Sequence, residues 1–183
     1  MGIVSGVGNI GHTYIPALLM DSGIPVQIAS TVVAISVVVE APLIFFSDRF
    51  MDHWPLRLLI LLPVGILLLQ YFIYALPSPV FLKVLVTFLA KHTTGMVLIM
   101  VSLRFISQQV DKKDLVLAMA LLQGVRYLGT ILLQPVAAFF VDHGGFSMMS
   151  YFLVVVLILV LLLSIFLKMP KGKSPGLFGT MKE

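Results

Sequence analysis

Six long apolar segments fill most of this chain, and polar residues cluster inside four of them. A helix that crosses a membrane needs roughly 20 consecutive apolar residues, which is about the length of these segments. Strands of a membrane barrel would instead alternate apolar and polar residues over about ten residues. The chain is therefore predicted to be an all-α membrane protein with six transmembrane helices. The predicted spans are 3–20, 28–46, 57–76, 80–106, 115–141 and 147–168.

The composition supports a membrane protein and excludes several other classes. Hydrophobic residues make up 60% of the 183 residues and charged residues 11%, with a mean hydropathy of +1.10. Soluble domains are about 45–50% apolar and about 25% charged. The absence of cysteine excludes disulfides and thiolate metal sites. A formal net charge of +4 is too small to indicate nucleic-acid binding, and no cofactor or metal is expected.

Basic residues between the spans predict the orientation, because cytoplasmic loops carry an excess of Lys and Arg. Arg49 and Arg57 lie between the second and third spans, and Lys112-Lys113 lies between the fourth and fifth. The first-to-second and fifth-to-sixth connections contain no basic residue. Both termini are therefore expected on the cytoplasmic side of the plasma (inner) membrane. Residues 1–168 would form one helical bundle, and the Gly-, Pro- and Lys-rich residues 169–183 a disordered tail.

The second and fifth spans end in similar sequences. Residues 40–48 and 134–142 both contain Phe-Phe-x-Asp in the same register, with Glu40 opposite Gln134. This similarity predicts two related units of three helices, and an odd number of helices gives the two units inverted topology. Inverted repeats of this kind occur in secondary transporters, whose binding sites lie at the repeat interface.

A polar stripe runs along the fifth span, because residues three or four apart lie on the same face of a helix. Its members are Gln123, Arg126, Tyr127, Thr130 and Gln134. Hydrogen bonding between helices is one explanation of such a stripe. Arg126, however, lies near mid-span, where a charged side chain costs about 3 kcal/mol unless it faces protein or water. The stripe is therefore interpreted as the lining of a solute cavity.

Three other spans contribute further candidates for the same cavity. They are Asn9 and His12 in the first span, beside Ser5 and Thr13; Ser36 and Glu40 in the second; and Lys91 and Thr94 in the fourth. Glu40 is the acid that lies deep in a span, so it is the candidate for binding and releasing a proton, with Arg126 as its partner. A static ion pair of Glu40 with Arg126 or Lys91 is the alternative. The third and sixth spans, which contain fewer polar residues, are expected to support the other four.

Six helices with cytoplasmic termini, four of them lining a cavity, resemble the C-terminal half of a major facilitator superfamily transporter. Asp48-Arg49 match the Asp-Arg of that superfamily's loop signature, Gly-x-x-x-Asp-Arg-x-Gly-Arg-Arg, while Ile44 stands at the first glycine. The resemblance covers nearly the whole chain. It implies a gating role for Asp48 and Arg49, and it implies a missing N-terminal six-helix half or a partner chain, because complete transporters have twelve helices.

Shorter motifs resemble two branches of the superfamily. Gly23-Ile24-Pro25 and Glu40-Ala41-Pro42 resemble segments of the bacterial sugar efflux transporters, and Arg126 falls where that family has an arginine in its penultimate helix. Arg104-Phe105-Ile106 instead resembles a segment of the oligosaccharide–proton symporter branch. Both resemblances imply that Glu40 and Arg126 belong to the sugar and proton site.

The expected function is secondary active transport: proton-coupled efflux of a sugar or similar small polar solute, by proton antiport and alternating access. An organic-acid or drug efflux carrier is an alternative, because Lys91 and Arg126 outnumber Glu40 within the spans. A non-transporting membrane subunit or an inert truncated product is another. Enzyme activity is not expected, since neither His-Glu-x-x-His nor Gly-x-Ser-x-Gly is present.

Overall fold

The computed structural model describes residues 2–45, 54–111 and 113–166, and throughout these ranges the regular structure is helical. The helices are α1 (Gly2–Asp21), α2 (Val26–Ser36), α3 (Glu40–Phe45), α4 (Leu56–Ala75), α5 (Val80–Gln109) and α6 (Leu115–Phe166). A short 3-10 turn, Val37–Val39, joins α2 to α3. The predicted gating pair Asp48-Arg49 and the predicted tail 169–183 lie outside the described residues.

Proline and glycine set most of the helix boundaries. Pro25, Pro55 and Pro79 directly precede α2, α4 and α5, and each has an extended backbone conformation. Proline fits this position because it lacks the N–H that a helix interior needs, whereas the first N–H groups of a helix have no partner within it. Gly23 follows α1 with a φ of 90°, a left-handed conformation that glycine adopts without steric cost and that ends many helices.

Gly145 interrupts α6. Its φ of 70° and ψ of −173° are not helical, so α6 consists of two arms, residues 115–144 and 146–166. The break falls in the segment His143-Gly144-Gly145, where the sequence predicts a connection between two spans. A residue with a side chain would be strained at this φ, which explains why glycine occupies the position.

Among the described residues, three helices are long and apolar enough to cross a membrane. They are α4 over Leu58–Ala75, α5 over Val80–Ser107 and α6 over Leu115–Ser164, and α2 is a shorter apolar helix. The all-helical architecture and the membrane character are therefore confirmed. The division into six spans, the inverted repeat and the cytoplasmic position of the termini stay predictions.

The main core lies where α1, α4 and both arms of α6 pack together, with α5 and α2 against them. Its fully buried members include Val7, Ile10, Leu19, Tyr71, Met149, Leu153 and Leu157. A second, smaller cluster joins Leu59 of α4 to Val97 and Val101 of α5. These contacts bring α1 against α6, the first and last helices of the described residues.

A buried chain of hydrogen bonds joins α4 to α5. The Gln70 amide donates to the Tyr74 hydroxyl over 3.0 Å, and the Tyr74 and Thr87 hydroxyls lie 2.6 Å apart. Because the Thr87 hydroxyl donates its one proton to the Lys83 carbonyl, at 2.7 Å, Tyr74 is the donor in its bond to Thr87. The third predicted span, now α4, therefore carries polar residues that face the protein interior.

Candidate functional site

Glycines allow α1 and α6 to approach closely. A Cβ atom added at Gly6 would lie 2.6 Å from the backbone carbonyl carbon of Gly129, and one added at Gly2 would lie 2.9 Å from the carbonyl oxygen of Val125. Separations below 3.0 Å are essentially never found for a real Cβ atom. Small residues at a helix crossing permit this approach in membrane bundles, where close packing and interhelical hydrogen bonds hold helices together.

Arg126 lies beside this crossing and is held by two neutral acceptors. Its Nε donates to the Ser5 hydroxyl of α1 over 3.0 Å, and its Nη1 donates to the Gln123 side-chain oxygen over 2.9 Å. Ser5 is only 4% exposed, whereas Arg126 is half-buried and Gln123 is exposed. The guanidinium group is thus bonded to one buried hydroxyl and one exposed amide, on a side chain that is itself half-buried.

A second bond links the same two helices one turn further along. The Asn9 amide nitrogen donates to the Thr130 hydroxyl over 2.9 Å. Asn9 follows Ser5 by four residues on α1, and Thr130 follows Arg126 by four on α6, so the two bonds lie on one continuous interface. The α1–α6 polar cluster comprises Ser5, Asn9, Gln123, Arg126 and Thr130. It offers amide, hydroxyl and guanidinium groups, which suit hydrogen bonding to a polar solute.

Three other predicted residues lie on the same two helices. Tyr127, next to Arg126, is 59% exposed. His12 is exposed on α1, and Gln134 is half-buried on α6, one turn beyond Thr130. The structure thus brings four of the predicted cavity-lining residues into hydrogen-bonded contact, and it places these three along the same pair of helices.

Ser36 and Thr94 lie inside the protein instead. The Ser36 hydroxyl is buried and donates to the Val33 carbonyl of its own helix, over 2.6 Å. Thr94 on α5 is 2% exposed, and its hydroxyl has no hydrogen-bond partner within the described part of the chain. Neither hydroxyl bonds to the α1–α6 polar cluster, so in this conformation both contribute to packing rather than to an open surface.

The side chains of Glu40 and Lys91 lie outside the described residues. Their backbones place Glu40 at the start of α3 and Lys91 near the middle of α5, and α3 packs against α5. The helices that carry the predicted proton site and its alternative partner are therefore neighbours.

Ser5 is the partner of Arg126 that the sequence analysis did not predict. It belongs to the polar stripe of the first span, yet its bond reaches across 121 residues of sequence. Among the described residues, no group of three or more His, Asp or Glu side chains is arranged to hold a metal ion. The α1–α6 polar cluster itself offers hydrogen bonding and the positive charge of Arg126.

Comparison with known families agrees with this architecture. A family model described as Major Facilitator Superfamily matches residues 2–181. The chain belongs to the major facilitator superfamily. It is therefore a multi-pass membrane transporter, of a family that is typically non-enzymatic, and the resemblance noted in the sequence is confirmed at the level of the superfamily. Comparisons with curated proteins and with solved structures gave no match.

Proposed function

We propose that this superfamily member is a proton-coupled efflux transporter whose solute pathway passes the α1–α6 polar cluster. The observation that carries the proposal is the Arg126 guanidinium, which is bonded across the helix crossing to Ser5 while its side chain remains half-buried. A charged group this far inside an apolar helix is expected to face protein, water or solute rather than lipid. Its position is typical of a functional site within a membrane.

Helix length supports six spans rather than fewer. The apolar region of α6 covers 50 residues, and an unbroken helix of that size would be about 75 Å long. The hydrocarbon core of a bilayer is only about 30 Å thick. The break at Gly145 gives two arms of more suitable length. With α1, the combined α2–α3 segment, α4 and α5, these arms would give six spans. The proposed arrangement is two units of three helices, with inverted topology and both termini in the cytoplasm.

Solute binding would use the exposed polar groups of the cluster. Gln123, Tyr127 and Arg126 offer hydrogen bonds to hydroxyl groups, so a sugar or a similar small polar solute is the proposed substrate. Asn9, His12, Thr130 and Gln134 would extend the lining along α1 and α6. Ser36, Lys91 and Thr94 would join it from α2 and α5 in another conformation of the transport cycle. A second six-helix unit would complete the cavity.

Proton coupling is assigned to Glu40, with Arg126 stabilising its charged form when the two approach. Asp48-Arg49 would act in the loop that closes the pathway on one side. Rocking of the helical units against each other would then expose the solute alternately to each face of the membrane.

The proposal can be tested by efflux from cells, where any partner chain is available. Cells that lack the gene, complemented with the unaltered chain or a variant, are loaded with labelled sugars and sugar acids, and release is followed under an imposed pH gradient. Glu40→Gln should remove the pH dependence while leaving the protein in the membrane. Thr31→Val, an exposed residue bonded only to its own helix, should leave efflux unchanged. Efflux that does not depend on the chain would favour a non-transporting subunit.

An organic-acid carrier is the second candidate, and the charge of the cluster favours it. Arg126 forms both of its side-chain hydrogen bonds with neutral groups. A sugar acid has the hydroxyl groups that the polar cluster can bind and also the negative charge that Arg126 can bind. The panel of labelled solutes distinguishes the two candidates.

A further inference from the structure

The Arg126 guanidinium has more hydrogen-bond donors than Ser5 and Gln123 accept. It carries five N–H groups in a rigid, planar arrangement. Ser5 and Gln123 each accept one of them, and the other three, including both on Nη2, form no hydrogen bond within the described residues. Parallel N–H groups on two neighbouring guanidinium nitrogens match the two oxygens of a carboxylate or phosphate, which they can bind in bidentate fashion.

The positive charge of Arg126 has no acidic partner within the described part of the chain, to which the Glu40 side chain does not belong. Throughout the described residues, no carboxylate forms an ion pair with it, and its two acceptors are a hydroxyl and an amide oxygen. An unpaired arginine near the middle of a spanning helix costs about 2.5 to 3.5 kcal/mol on insertion scales. An anion that binds to Arg126 would offset this cost, whereas a neutral solute would not.

Ser5 fixes the position of the Arg126 guanidinium. Its hydroxyl is buried, and its neighbours Gly2 and Gly6 lie against the backbone of α6, so α1 has little freedom to move at this point. The bond to Nε therefore holds the guanidinium against α1, while the Arg126 side chain as a whole is only half-buried. A binding group that is held in place before the ligand arrives loses less conformational entropy on binding.

We propose that Arg126, positioned by Ser5 and Gln123, forms a subsite for an anionic group of the transported solute, an inference that rests on the proposed function. The ligand group is a carboxylate or phosphate, and Ser5 is a positioning residue that does not itself touch the solute. The depth of the site favours a solute over a lipid. Arg126 lies eleven residues beyond Leu115, about 17 Å along α6, whereas lipid phosphates lie at the membrane surface.

The chemical reactivity of Arg126 tests the subsite independently of transport. The full chain is placed in nanodiscs of phosphatidylcholine and treated with phenylglyoxal, and modification of each arginine is followed by mass spectrometry. Gluconate is compared with glucose at equal ionic strength. At about ten times its half-protecting concentration, gluconate should slow modification of Arg126 roughly tenfold. Glucose should have little effect, and Arg104 should react at the same rate in both.

Variants then test the positioning role. Removing one hydrogen bond typically changes a free energy by about 0.5 to 1.5 kcal/mol, so Ser5→Ala should raise the half-protecting gluconate concentration about two- to tenfold. Gln123→Ala should have a similar effect, and because Gln123 is exposed this variant is expected to fold normally. Thr13→Val is the control on α1, since the Thr13 hydroxyl bonds to the Asn9 carbonyl of its own helix.

Three results would overturn the subsite. The first is equal protection of Arg126 by glucose and gluconate, and the second is no protection by either. The third is protection of Arg126 in phosphatidylglycerol nanodiscs that added gluconate does not increase. This third result would identify a lipid headgroup as the ligand. Unchanged gluconate protection in both Ser5→Ala and Gln123→Ala would overturn the positioning role. Protection by gluconate without any efflux from cells would leave the subsite standing and contradict the proposed transport function.

Discussion

Replacing Gly6 with alanine should force α1 away from α6, because the new Cβ atom would lie 2.6 Å from the Gly129 carbonyl carbon. Ordinary van der Waals contact begins near 3.4 Å, so the helices would have to separate by roughly 1 Å at this point. The atoms in the way belong to the backbone and cannot rotate aside as a side chain could. Overpacking of this kind costs about 1 to 3 kcal/mol.

Gly8 provides the matched control on the same helix. A Cβ atom at Gly8 would meet nothing within 4 Å, so Gly8→Ala changes helix propensity without crowding a neighbour. Alanine is favoured over glycine in a helix interior by about 1 kcal/mol in water. We therefore expect Gly8→Ala to be neutral or stabilising. Because both glycines lie inside α1, the gain in helix propensity is common to the two variants, and Gly6→Ala should be less stable than Gly8→Ala by the overpacking cost of about 1 to 3 kcal/mol.

The assay is reversible unfolding in mixed detergent micelles, followed by the loss of helical circular dichroism as the fraction of dodecyl sulfate rises. The same separation should stretch the 3.0 Å bond between Ser5 and Arg126 beyond hydrogen-bond length. Gly6→Ala should therefore also weaken the protection of Arg126 by gluconate. Equal stabilities of the Gly6 and Gly8 variants, within about 0.5 kcal/mol, would refute the close crossing of α1 and α6.

Two further predictions concern other parts of the fold. Thr87→Val should destabilise the protein by about 1 to 3 kcal/mol in the same unfolding assay, because it leaves the buried Tyr74 hydroxyl without its acceptor. The control Thr31→Val, at an exposed position, should stay within about 0.5 kcal/mol of the unaltered chain. Gly145→Ala should lower the free energy of unfolding by about 1 to 2 kcal/mol, because alanine is strained at a φ of 70°. Gly65→Ala, inside α4 with open space around it, should not destabilise the protein. Equal effects within either pair would contradict the corresponding feature of the structure.

The helices and their breaks could be predicted from the sequence because they depend on local chemistry. Pro25, Pro55 and Pro79 begin helices because proline lacks an N–H, and Gly145 permits a backbone turn that other residues resist. Long apolar stretches similarly indicated the membrane, and the resemblance to the superfamily was confirmed. These features need no knowledge of which helix lies beside which.

The pairing of side chains between helices could not be predicted in the same way. Helical periodicity placed Arg126 and Gln123 on one face of their helix, and Ser5 with Asn9 on one face of another. It did not give the rotation of one helix against the other, on which the bond from Ser5 to Arg126 depends. For the same reason, periodicity does not show that the Gln70 amide, in a span expected only to support the others, lies in a buried network between α4 and α5.

The most direct test asks whether water and solute reach the exposed side of the α1–α6 polar cluster. Since the chain has no cysteine, single substitutions Gln123→Cys, Tyr127→Cys and Leu132→Cys can be labelled in membranes with a charged, membrane-impermeant maleimide. Leu132 is 71% exposed but lies on the opposite face of α6, where lipid is expected. A solute pathway predicts labelling at 123 and 127, slowed by gluconate, and none at 132. Failure to label 123 and 127, or equal labelling at all three positions, would contradict it.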